Sequence, residues 1–185
     1  MQIEHCLVTN STATILKPYI DNVKSYEYRR YKGYHTGIDI KTQEPRCVCI
    51  GVVTYIGQNN DEGKIVVIQY THDISFRYTN LISIQVNVGD TLTQYDLVGY
   101  CKDHVHFECI SLTAKSNWTV KVGDRTYYKI DPTVYVDNSY EYDLIYQYPI
   151  FKEIGDIYFS AEYLKENNLI EIGGDESVQN SSKTR

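Results

Sequence analysis

The sequence predicts an all-β protein built around an antiparallel sheet. Three observations carry this: β-branched runs recur at short spacing, turn residues separate them, and no convincing amphipathic-helix period interrupts them. Residues 1–27 hold short apolar runs, a polar TNSTAT stretch and Pro18, and read as a lead-in strand or two packing on the main domain. The main domain is assigned to residues 28–137. Within it RCVCIGVVTYIG and GKIVVIQYT are strand runs divided by the turn QNNDEG. SIQVNVGDTL alternates apolar and polar residues at period two and turns at Gly89-Asp90. DLVGYCKDHVHFECI reads as a longer strand pair, and residues 111–130 as a hairpin about Gly123-Asp124 with Trp118 as a packing residue. Residues 138–172 are expected to form a small tyrosine-rich α+β appendage, in which SAEYLKENNLIEIGG reads as a short helix capped by Ser160 and followed by a strand or turn. Residues 173–185 are a polar tail expected to be disordered.

Composition excludes several roles. A chain of 185 residues has room for one domain and an appendage. The net charge is −6 and no basic run stands out, which disfavours nucleic-acid binding. No segment approaches the ~20 apolar residues needed to span a bilayer. The opening MQIEHCLVTN has neither a basic n-region nor an apolar h-region, so no signal peptide is expected and synthesis is expected in the cytoplasm. Cys6, Cys47, Cys49, Cys101 and Cys109 are odd in number and fit no standard zinc-finger spacing. They read as free thiols of a reducing compartment, with Cys47 and Cys49 on one face of a strand. The 19 tyrosines suit interfaces and carbohydrate-rich surfaces, or reflect the composition of an AT-rich genome.

Two short motifs carry chemistry. One is His35-Thr36-Gly37-Ile38-Asp39, an HxxxD; the other is His104-Val105-His106-Phe107-Glu108, which opens with HxH. Of five histidines in the chain, three fall in these motifs, so imidazole is concentrated where a carboxylate is also present. Two imidazoles and a carboxylate are the ligand set of a catalytic zinc, which keeps its fourth position for water. On a strand the two rings of HxH share a face, so one can bind metal while the other leans over the site.

From Tyr34 to Gly99 the chain resembles the lysostaphin/LytM-type zinc metalloendopeptidases, which cut peptide stems or cross-bridges of bacterial peptidoglycan. The resemblance rests on YHTGIDI, GVVTYIGQNNDEGKIVVIQYTHDISFRYTNL, VNVGDTLTQYDLVG, HVHFE and the Asp-Pro segment KIDPTVYV, and covers about residues 28–136. It implies the lysostaphin/LytM antiparallel sheet, with His35, Asp39 and His106 as ligands of Zn2+ and His104 as a catalytic imidazole beside them. One position departs. The family's Tyr-Ala-His-Leu, whose histidine is its second catalytic imidazole, reads here Tyr78-Thr79-Asn80-Leu81. Asn80 therefore stands in a catalytic position. Its amide can donate a hydrogen bond but cannot carry a proton or a positive charge. Losing one oxyanion donor outright costs about 100- to 1,000-fold in rate, so a retained neutral donor implies a slowed enzyme rather than a dead one. His72, in the probable turn YTHDIS, is expected to be exposed and far from the metal. The family's glycine-rich loop before HxH is reduced to YCKD between Gly99 and His104, which trims one wall of the groove.

The expected activity is zinc-dependent hydrolysis of peptidoglycan peptides. The acidic charge suggests delivery to the wall by a larger assembly, and the expected setting is a bacteriophage tail tip or baseplate, with incorporation in the virion. The alternative is a non-catalytic structural or binding module of such an assembly, built on a degenerate peptidase fold.

Overall fold

The computed structural model describes residues 2–19 and 34–136. Ten strands follow in order: β1 (Gln2–Cys6), β2 (Ser11–Lys17), β3 (Ile38–Lys41), β4 (Gly51–Asn59), β5 (Gly63–Gln69), β6 (Ile74–Ile84), β7 (Thr91–Leu92), β8 (Gly99–Ser111), β9 (Thr119–Val122) and β10 (Arg125–Ile130). A 3₁₀ turn at Thr133–Tyr135 closes the described chain, and no α-helix occurs among the described residues. The strands are ordered β1-β2-β3-β8-β6-β5-β4-β7, with β10 joining β8 beyond the end of β3 and β9 pairing β10. Neighbouring pairs along this order are antiparallel, as the alternation and hairpin signals predict. At the N-terminus β1 pairs β2, and β2 pairs β3. The hairpin about Gly123-Asp124 is β9 and β10. The appendage, its helix and the polar tail lie outside the described residues.

Two expectations are corrected. RCVCI is not strand, and β4 begins only at Gly51. Between Pro45 and β4, Arg46 forms an isolated bridge with Leu97, and Cys47 and Cys49 lie in irregular backbone. There Cys47 donates from Sγ to the carbonyl of Cys49. DLVGYCKDHVHFECI is not a strand pair either. With no glycine or proline between Tyr100 and Ser111 to turn the chain, β8 runs unbroken for 13 residues.

The sheet sorts its residues by face. Partners in register point the same way, and successive residues point to opposite sides. On one side Ile38, Ile40, Phe76, Tyr78, Val105 and Phe107 join the main core, each at most 2 % exposed. Phe107 stacks on Phe76 at 5.5 Å and meets Tyr78 edge-on at 5.0 Å. Burying aromatics of this size stabilises by roughly 2–3 kcal/mol each, so this side anchors the central strands. The other side carries a smaller cluster of Ile65, Val67, Ile110, Val122 and Tyr127. Beside that cluster Asp39, Arg77, Thr79, His106 and Glu108 come together through the registers Asp39↔His106, Thr79↔His106 and Arg77↔Glu108.

Candidate metal centre

Asp39 and His106 are direct cross-strand partners on β3 and β8. His35 lies three residues before β3, where its Nδ1 is 2.9 Å from the carbonyl oxygen of Pro18. Tyr34, just before it, packs on Trp118 at 5.9 Å, and Trp118 also meets Tyr19 at 6.2 Å. Trp118 therefore has the packing role expected of it, and steadies the segment that carries His35. Gly37 lets this segment approach β8: a Cβ there would lie 2.6 Å from the Phe107 carbonyl oxygen and 2.8 Å from the His106 ring. The glycine of HTGID is a matter of contact distance rather than of backbone conformation.

The three side chains converge tightly. His35 Nε2 is 3.1 Å from Asp39 Oδ1 and 3.0 Å from His106 Nδ1, and His106 Nδ1 is 2.8 Å from the same Asp39 oxygen. The outward nitrogens decide what these atoms are. Pro18 offers a carbonyl oxygen, which can only accept, so His35 carries its hydrogen on Nδ1. His106 Nε2 faces Glu108 Oε1 at 3.0 Å and carries its hydrogen there. With both rings neutral, His35 Nε2, His106 Nδ1 and Asp39 Oδ1 are three acceptors aimed at one another with no hydrogen between them. Only a cation or added protons can satisfy such a triangle. The donor set of two imidazoles and a carboxylate fits zinc, and these three form the metal-capable cluster found among the described residues. The electrostatics agree. Burial pushes the Asp39 carboxyl up, but the neighbouring His106 and His35 rings hold it well below the usual range. Burial pulls His106 down, yet Asp39 and Glu108 raise it above an ordinary histidine. Lys17 stands 3.9 Å from the other Asp39 oxygen.

A buried run of charges supports His106 from behind. Glu108, with no exposure, bonds His106 through Oε1, which also accepts from Lys129 Nζ. Its Oε2 accepts from Arg77 Nη1 at 2.7 Å. Arg77 turns its other edge to Glu62, at 3.2 and 2.6 Å. Lys129, buried on β10, also donates to Thr36 Oγ1 at 3.0 Å. Burial alone would push Glu108 up; the charges of Lys129 and Arg77 hold it well below the usual carboxylate range. Sequence reasoning missed Glu62, Arg77 and Lys129 altogether, and assigned Glu108 no role although it ends the HVHFE motif. A buried lysine and arginine within strand runs were the available signal.

His104 sits on the same strand side as His106, opposite Lys41, and stays partly exposed at 28 %. Asn80 is its neighbour. The amide donates from Nδ2 to the His104 carbonyl oxygen at 2.9 Å and faces His104 Nε2 at 3.2 Å. The carbonyl fixes which way the amide points. His104 Nδ1 faces Asp103 at 2.9 Å and carries the ring hydrogen, so Nε2 is the accepting atom. Asn80 takes φ 65°, a conformation that asparagine adopts more readily than most residues. It stands in a bulge: from Thr79↔His106 to Leu81↔Cys101, two steps along β6 face five along β8. His72 is exposed in the turn before Ile74. Ile74 pairs Ser111, seven residues along β8 from His104, or roughly 23 Å at strand rise.

Residues 33–118 match the sequence profile of Peptidase family M23. No curated protein matches the chain. Among solved structures, the NMR solution structure of lysostaphin is similar at 18% identity and TM-score 0.51, over 72% of this chain and 53% of that one. The catalytic domain of lysostaphin from Staphylococcus simulans is 17% identical with TM-score 0.48, over 65% of this chain and 89% of that one. A zinc containing peptidase from Vibrio cholerae is 20% identical with TM-score 0.45, over 53% of this chain and 33% of that one. The chain thus spans about a third of the Vibrio protein and about half of full lysostaphin. The likeness to lysostaphin shows the fold.

Proposed function

We propose that this chain, whose residues 33–118 belong to peptidase family M23, is a zinc metalloendopeptidase that cleaves peptide stems or cross-bridges of bacterial peptidoglycan. The observation that carries the reading is the triangle of three acceptors formed by His35, Asp39 and His106. These residues would hold the metal. Zinc bound there supplies Lewis acidity, polarising the scissile carbonyl and making water acidic enough to attack near neutral pH.

The chain's own residues do the rest. His104 Nε2, the accepting atom of that ring, would take a proton from the attacking water. The same nitrogen returns that proton to the leaving amine as the C–N bond breaks. Asp103 on Nδ1 holds the ring in the tautomer this exchange needs. The Asn80 N–H that faces Nε2 is freed when the water takes its place, and can then donate to the developing oxyanion. It does so as a neutral donor, which supports a slowed enzyme.

Substrate and setting go further. The net charge of −6 is unsuited to unaided attraction to a polyanionic wall, and supports delivery by a larger assembly, for which a phage tail tip or baseplate is our candidate. A second reading, a binding module with little turnover, is favoured by one observation: in the resting site the Asn80 amide already occupies the accepting atom of His104. Release of new amino groups from purified sacculi, with zinc and with chelator, tests the proposal. Chelator-sensitive release is expected. Absence of release from walls of several cross-bridge types by zinc-loaded protein would favour the binding module.

A further inference from the structure

We infer that Glu62 is a positioning residue for this centre, acting through Arg77 and Glu108 on the His106 ring and through its own carbonyl on Asn80. The inference rests on the zinc reading above. Glu62 meets the guanidinium of Arg77 and the main chain of Asn80. It ends the turn between β4 and β5, where Asn59 holds it: Asn59 Oδ1 accepts from the Glu62 N–H at 2.7 Å and Asn59 Nδ2 donates to Oε2 at 2.7 Å. Gly63, at φ +68°, then brings the chain back into β5.

From that fixed turn two paths reach the site. The first runs through side chains. Both Glu62 oxygens grip the Arg77 guanidinium, whose plane is rigid, so the direction of the Nη1 hydrogen bond to Glu108 follows from that grip. Glu108 in turn sets which nitrogen of His106 carries hydrogen, and therefore which one faces the metal. The second path is main chain. Glu62 O accepts from the Asn80 N–H at 2.7 Å, at the bulge where Asn80 takes its positive φ. One hairpin turn thus ties the support of a metal-facing imidazole to the residue that contacts the proton-accepting imidazole.

The two paths separate by substitution. Glu62→Gln keeps the shape and the carbonyl, but sets an amide N–H against the guanidinium, so it breaks the side-chain path alone. Zinc affinity would be measured on the full chain by competition with a chromophoric chelator. Wild type, Glu62→Gln, Arg77→Lys and the double variant would be compared. Arg77→Lys keeps the charge and loses the fork. A loss of about tenfold is expected for each single variant, the scale of outer-shell partners of a metal ligand. The double variant is expected to lose no more than either, because both lie on one path. A residue that merely stabilised the fold would shift the urea midpoint and leave the zinc affinity of the folded chain unchanged. Wild-type affinity in Glu62→Gln, or multiplying losses, would overturn the inference while leaving the zinc centre standing. A wild-type chain that binds no zinc would instead overturn the zinc reading, and the inference with it.

Discussion

The Asn80 amide nitrogen meets both the carbonyl and the ring of His104, and the contact with the ring sets the level of activity to expect. Restoring an imidazole by Asn80→His gives the site a donor that can carry charge, in a backbone conformation that histidine also tolerates. A rise of about 10- to 100-fold in kcat/KM on sacculi or a cross-bridge peptide is expected, below the effect of a whole oxyanion donor. An unchanged rate would mean that Asn80 does not limit turnover. At the triangle, Asp39→Asn replaces a carboxylate with a neutral amide and is expected to strip bound zinc during dialysis, read by elemental analysis. The sequence made His35, Asp39, His104 and His106 legible because each motif is short and its spacing survives folding. Glu62, Arg77 and Lys129 were not legible. They come from a turn and two strands remote in sequence, and meet Glu108 only through the pairing of β6 and β10 with β8.

At the scale of elements, β3 and β8 assemble the centre, and Gly37 sets how closely the segment before β3 approaches β8. Gly37→Ala would drive a methyl group into the Phe107 carbonyl and the His106 ring. A loss of about 1–3 kcal/mol in unfolding free energy is expected, the usual cost of overpacking, together with weaker zinc binding. Urea titration and chelator competition check the two effects separately, and an unperturbed variant would show that the segment can move away. The strands themselves were legible from alternation and β-branched runs, and the turns from QNNDEG and Gly123-Asp124. The continuity of β8 had a local sign, the absence of glycine and proline from Tyr100 to Ser111, which the strand-pair reading passed over. The bulge that receives Asn80 had none, because it depends on how β6 pairs with β8.

Across the whole molecule, carboxylates held in ion pairs and hydrogen bonds tie stability to acid pH. Burial works against the Glu62 carboxyl, yet Arg77 and Asn59 bring it down to about 2 from an ordinary value of 4.5. Asp73 is lowered too: burial is again opposed, here by Ser111, Thr113 and Leu112, which tie the β5–β6 turn to the end of β8. A carboxyl whose folded pKa is depressed stabilises the fold fully above its unfolded pKa, and loses that contribution as pH falls through the folded value. The urea midpoint is therefore expected to hold steady above about pH 5 and to fall between about pH 4.5 and 2. In Glu62→Gln the decline over that window should be shallower. An equal slope in the variant would mean that Glu62 is not a main source of it. The fold and the convergence of His35, Asp39 and His106 could be read ahead of the structure; the charge network behind His106 could not, because it exists only once the sheet is assembled.

We propose that two imidazoles and one carboxylate, left without a hydrogen between them, hold zinc. X-ray absorption at the zinc edge of the metal-loaded chain tests this most directly, because it separates nitrogen and oxygen ligands from sulfur. A shell of nitrogen and oxygen only, abolished in His106→Ala, is expected. Sulfur in that shell, or a spectrum unchanged by His106→Ala, would place the metal elsewhere and contradict the assignment.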